Sequence, residues 1–191
     1  MTNVRFPDIT WYQDIESINL YRERTAAGYT SEEVMESIYA KGRDNARTPM
    51  QWDASENAGF TEAKPWIPVN PNYREINAAS QIKDPSSVFS FYQNLISLRK
   101  TWPVFVDGDF SLLFPEDPQI FAYTRDDGDT RLLVCANFTG EKAAFHLPAG
   151  WEGAGRLIRN YEDAPEEGVL RPYEAFILAI PSHSGELKQN Q

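Results

Sequence analysis

Cysteine, histidine, positive charge and long apolar runs are all scarce in this chain, and each shortage removes a class of function. A single cysteine, Cys135, rules out an internal disulfide. It sits inside the apolar run LLVCANF and reads as a small core residue. A nucleophilic role would need a polarising base beside it, and the chain holds only His146 and His183. No Cys or His pair has metal-ligand spacing and no EF-hand loop is present, so no metal or other cofactor is expected. Eighteen Lys and Arg against 28 Asp and Glu give a net charge of −10, with no basic stripe to track a phosphate backbone, so nucleic acid is not an expected partner. No stretch approaches the roughly 18 apolar residues of a membrane span. The start, MTNVRFPDIT, lacks the basic and apolar regions of a secretory signal, and a cytoplasmic location is expected. Glycine-rich phosphate cradles and the G-x-S-x-G elbow are absent as well.

What the chain does have is aromatic surface and a change of pattern midway. Aromatic residues make up 13%, among them Trp11, Trp52, Trp66, Trp102 and Trp151; such rings serve equally as core and as platforms for the apolar faces of sugars. The first half reads as helix and loop. Ile15, Ile18 and Tyr21 have helical spacing between Asp14 and Ala26, ending at Gly28. Thr30 or Ser31 can cap a second helix, SEEVMESIYAKG, whose apolar side is Val34, Ile38 and Tyr39. From Gly42 to about Lys83 the abundance of Pro, Asn, Gly and Trp predicts a long ordered loop. Asp84 as N-cap, Pro85 at the first position and the stripe Val88, Phe91, Tyr92, Leu95, Ile96 and Leu98 predict a helix to Lys100 that needs a cover.

After residue 102 the pattern turns to short strands: DFSLLF, QIFAYTR, RLLVCANF, KAAFHL, GRLIRN and YEAFILAI. The second and third flank Asp126, Asp127, Gly128 and Asp129, a hairpin signal because Gly supplies the positive φ of a tight turn. The expected organisation is α+β: residues 1–102 as helices and loop, 103–181 as a small antiparallel β-sandwich, and 182–191 as a frayed tail.

Cleaving a glycoside takes two carboxyl groups facing the bond. Asp8, Asp14, Glu16, Asp44, Asp53, Glu56 and Glu62 are all available in the first half, yet no spacing pattern pairs any two of them.

The segment GRDNARTPMQWD, residues 42–53, is far more specific. It resembles, nearly letter for letter, a signature of the alpha-amylase superfamily shared by oligo-1,6-glucosidases, dextran glucosidases and trehalose-6-phosphate hydrolases. MTNVRF, DIESINLY (14–21), NAGFTEAKPWIPVNPNYREIN (57–77), DPSSVFSFYQNLISLRK (84–100) and LRPYEAF (170–176) resemble the same family in the same order. The resemblance implies a catalytic (β/α)8 barrel followed by a β-sandwich, with this chain holding the connection after the eighth strand, the last barrel helix and the C-terminal domain. A whole barrel takes roughly 250 residues. The family's nucleophilic Asp, acid/base Glu and transition-state-stabilising Asp match nothing here, and its calcium loop also lies upstream, so no catalytic residue and no metal are carried over.

Two substrate-binding residues do carry over by position. Arg43 matches the arginine that pairs with an aspartate early in the barrel and holds the non-reducing glucosyl unit in the −1 subsite. Glu16 matches a glutamate that hydrogen-bonds the +1 sugar. Asp44, Asn45, Arg47 and Trp52 are read as supports of the loop rather than sugar contacts. The implied activity is retaining, exo-acting hydrolysis of terminal α-1,6, or α-1,4, glucosidic bonds of short oligosaccharides, with the isolated chain inactive. Three other readings stand beside it: a trehalose-6-phosphate hydrolase fragment, a free-standing carbohydrate-binding β-sandwich, and a subunit completing a barrel supplied by a separate chain. The Met at position 1 matches an internal residue of the family, so a missing N-terminal barrel is the expected partner.

Overall fold

The architecture is that of a computed structural model, which describes residues 2–163 and 168–182. The chain divides into two compact units, Met1–Ser90 and Phe91–Gln191.

The first unit is built on two helices. α1 (Ile15–Ala26) and α2 (Ser31–Lys41) form a helical hairpin. A capping box starts α2: the Thr30 hydroxyl accepts from the Glu33 amide, while the Glu33 carboxylate accepts from the Thr30 amide. Val34, Met35 and Ile38 of α2 are buried against Val4, Phe6, Tyr12 and Ile67. Phe6 and Tyr12 meet edge-on, ring centroids 5.4 Å apart. α1 contributes less to this core than its spacing suggests. Ile15 is exposed, and Leu20 and Tyr21 supply the packing.

The stretch predicted as loop from Gly42 to Lys83 is ordered by 3-10 turns at Arg43–Asn45, Glu56–Gly59 and Pro71–Arg74. It also contains a short helix that the sequence reading missed, α3 (Ala78–Lys83), capped by Asn77, whose Oδ1 accepts from the Ser80 amide. Six residues are too few to show a period among so many Pro and Asn. The next helix, α4 (Val88–Thr101), starts three residues later than expected. Asp84 closes a turn by accepting the Ser86 amide, and the capping oxygen is that of Ser87, which accepts from the Ser90 amide at 3.1 Å. No residue of α4 is fully buried, and Val88, Tyr92 and Ile96 of the expected stripe are exposed. Among the described residues the first unit contains no strand.

The second unit is an antiparallel five-stranded sheet in the order β1-β2-β3-β7-β5, with a two-stranded sheet β4-β6 against it. The strands are β1 (Asp109–Leu113), β2 (Ile120–Asp126), β3 (Thr130–Asn137), β4 (Ala143–Ala144), β5 (Gly155–Arg159), β6 (Val169–Leu170) and β7 (Ala175–Pro181). The predicted β2–β3 hairpin is present: Gly128 has φ +90, and the Asp127 carboxylate accepts from the Asp129 and Thr130 amides. Period-two alternation splits the core in two. Cys135 packs with Ile120, Ala122, Ala143 and Leu170 between the sheets, and Leu132 packs with Val104, Ile177 and Ala179 on the opposite face, beside α5 (Val104–Asp107). Burial drives the Cys135 thiol up to about 12, as an inert core residue requires. KAAFHL, read as a longer strand, pairs only at Ala143–Ala144, whereas GRLIRN forms β5 over Gly155–Arg159; β6 was not foreseen. The tail expected to fray lies, from residue 183 onward, outside the described residues.

Candidate functional site

Three consecutive residues after α2 each fasten a different part of the first unit. The Asp44 side chain is fully buried and accepts the backbone amides of Gln13 (2.6 Å) and Asp14 (2.7 Å), which anchors the entry to α1. Its other oxygen takes Arg47 Nε at 3.1 Å and Nη2 at 2.5 Å. Asn45 closes the end of α2, donating to the Ile38 and Tyr39 carbonyls and accepting from the Tyr12 hydroxyl. Gly42 makes the sharp exit from α2 possible: a Cβ there would stand 2.8 Å from the Ile38 carbonyl and 3.2 Å from the Ser17 hydroxyl.

Arg43 is held differently, with its side chain half exposed. Its Nε (3.1 Å) and Nη2 (2.6 Å) both donate to Oδ1 of Asp14, while its own backbone amide and the Ser17 hydroxyl donate to Oδ2. Asp14 is buried. The hydrogen bonds from Arg43 hold its carboxyl at about 2, and the pair raises the Arg43 guanidinium further above its ordinary value. Glu16 lies 3.6 Å from Arg43 Nη2 with an exposed carboxylate. The structure thus brings Arg43 and Glu16 together, with buried Asp44 and Asn45 next in the chain and Arg47 held on Asp44. Trp52 stands apart from them: its ring is exposed, and the contacts that hold it are main-chain ones, from its amide to the Ala58 carbonyl and from the Ala79 amide to its own carbonyl.

The family resemblance pairs Arg43 with an aspartate early in the barrel; within this chain Asp14 engages the same guanidinium, a contact the sequence reading did not anticipate. In the sequence Asp14 was one of several carboxylates that no spacing paired, at the head of a helix to which it makes no side-chain cap bond. Gln51 was also missed. It is fully buried and ties the loop to the segment that follows, donating to Asn72 Oδ1 and the Ile76 carbonyl.

A guanidinium gripped along one edge by a buried carboxylate presents its remaining N–H groups outward, in a plane suited to hydroxyls or to a second carboxylate. Since Arg does not titrate, such an arrangement can bind and orient a ligand but cannot move protons. Among the described residues no group of three or more His, Cys, Asp and Glu side chains could hold a metal ion, and no helix is long and apolar enough to cross a membrane.

The chain thus joins a helix-and-loop unit that carries a half-exposed arginine to an antiparallel β-domain that follows it in sequence. Comparison gives the family. The profile described as "Alpha amylase, catalytic domain" matches residues 1–108, and "Maltogenic Amylase, C-terminal domain" matches residues 110–177. The chain belongs to the alpha-amylase family. It is 51% identical to an oligo-1,6-glucosidase of Parageobacillus thermoglucosidasius, over 94% of this chain and 33% of that protein. To a trehalose-6-phosphate hydrolase of Bacillus subtilis it is 45% identical, with the same coverage. The crystal structure of the trehalose-6-phosphate hydrolase of Bacillus licheniformis superimposes with a TM-score of 0.87 at 44% identity, covering 94% of this chain and 34% of that one. The chain therefore spans about a third of the length of the relatives it matches.

Proposed function

We propose that this chain is the C-terminal third of a retaining, exo-acting α-glucosidase that removes terminal α-1,6-linked glucose from short oligosaccharides in the cytoplasm. Arg43 binds the non-reducing glucosyl unit in the −1 subsite, Glu16 accepts a hydrogen bond from the +1 sugar, and Asp44, Asn45, Arg47 and Trp52 keep their loop in place. The nucleophile and the acid/base come from the preceding barrel, which is the chain's partner; residues 1–102 complete that barrel and 103–181 form the domain that follows it in sequence. The observation that carries the reading is the half-exposed Arg43 guanidinium, gripped along one edge by buried Asp14 and followed by Asp44 and Asn45, which are buried and hydrogen-bonded.

The test begins with the in-frame sequence upstream of Met1, followed by expression of the full-length product. It should hydrolyse isomaltose and p-nitrophenyl α-glucoside, whereas the 191-residue chain alone should turn over neither. Arg43→Ala in the full-length enzyme should lower kcat/KM by orders of magnitude, since a misplaced −1 sugar loses its reacting geometry. Turnover by the isolated chain, or near-normal activity of that variant, defeats the proposal. The likeness to trehalose-6-phosphate hydrolases supports a second reading, hydrolysis of phosphorylated trehalose. Assaying isomaltose against trehalose 6-phosphate separates the two.

A further inference from the structure

We propose that Asp14 is a positioning residue that aims the Arg43 guanidinium at the sugar, an inference that rests on the sugar-binding role assigned to Arg43 above. A carboxylate at the head of a helix ordinarily accepts the amides of the first turn. Asp14 makes no such bond. Both its oxygens are turned to the 42–43 segment and to Ser17, and the carboxylate grips Arg43 at two places: the side chain through Nε and Nη2, and the backbone through the amide at 3.4 Å. Holding both ends of one residue fixes the torsions between them, so the fork is set before any ligand arrives and less rotamer entropy is lost on binding.

The carboxylate is itself anchored. The Asp14 amide donates to buried Asp44, and the Ser17 hydroxyl donates to Asp14 Oδ2 at 3.0 Å. A carboxylate meant only to neutralise charge would not need its backbone pinned and both oxygens occupied. Its burial also keeps it from the solvent that would screen and loosen an exposed ion pair. Glu16, by contrast, is exposed and reaches Arg43 only at 3.6 Å, so it does not fix the fork. Asp14 touches no substrate in this scheme and acts through Arg43 alone.

A double-mutant cycle in the full-length enzyme tests this. Asp14→Asn keeps the size of the side chain but loses the charge, and it sets an amide donor against donors. Its kcat/KM on p-nitrophenyl α-glucoside should fall about 100-fold. In an Arg43→Ala background the same substitution should cost less than about twofold, because the group it positions is gone. Ser17→Ala, which removes one bond to the carboxylate and leaves the charge, should lower kcat/KM about fivefold beside Arg43 and not at all in its absence, and it keeps the test decisive if Asp14→Asn does not fold. Losses that multiply in the Arg43→Ala background, or wild-type kinetics for both Asp14→Asn and Ser17→Ala, would overturn the positioning role. Near-normal kinetics of Arg43→Ala itself would defeat the sugar-site assignment instead, so the two failures are distinct.

Discussion

The two units spend their buried interior on different chemistry. Among the described residues, the first unit buries Asp14, Ser17, Asp44, Asn45, Thr48, Gln51, Asn70, Asn77 and Ser87, while the second buries only Asn137 and Glu174 of the polar kind. The second unit's core is apolar and follows the sheet's alternation. Polar burial gives little net stability, because each hydrogen bond replaces one to water, but leaving a single group unpaired costs the full desolvation. A region built that way is specified rather than stable. Where the chain must aim a side chain it uses polar fastening, and where it must only hold together it uses hydrocarbon.

Asp44→Ala is the sharpest way to break this contrast. It leaves the Gln13 and Asp14 amides and the Arg47 guanidinium without their carboxylate, and should cost about 4 kcal/mol in urea denaturation together with nearly all activity. A small loss would mean that the first unit does not depend on its polar interior. Leu132→Ala, in the apolar core of the second unit, should cost about 3 kcal/mol yet leave kcat/KM of the folded full-length enzyme unchanged. A kinetic defect there would erase the division of labour. The smallest effect is a pH dependence. Because Asp14 is held at about 2 in the folded state, below its ordinary 3.8, the stability it contributes is complete above pH 4 and is lost as pH falls toward 2. The loss is on the order of 1 kcal/mol, and the denaturation midpoint of Asp14→Asn should lack that portion of the slope.

Much of this was legible in the residues. Helix α2 was announced by Thr30 with Glu33 three positions on, the β2–β3 hairpin by the turn residues Asp127 to Asp129, and the core role of Cys135 by its apolar neighbours. Local chemistry decides such features, and local chemistry is what a sequence displays. The start of α4 and the existence of α3 were lost because Ser87 and Asn77 cap them through side chains that look like any other loop polar residue. The site divided along the same line. Resemblance picked out Arg43, Glu16 and the loop supports, but the grip of Asp14 on Arg43 joins residues 29 apart in sequence and leaves no spacing signal. The second unit has a clamp of its own: within LRPYEAF, Arg171 binds buried Glu174 along one edge and Asp163 with Nη1, and its guanidinium lies 3.9 Å over the Tyr161 ring.

Arg43, Asp44 and Asn45 follow one another without a spacer, yet they serve the Asp14 carboxylate, the backbone at the head of α1 and the tail of α2 in turn. Such a triplet has no slack in its reading frame. Adding or removing one amino acid between Gly42 and Arg47 would rotate all three duties onto the wrong neighbours at once, so natural length variation should collect in the exposed stretch around Trp66 and leave this one untouched.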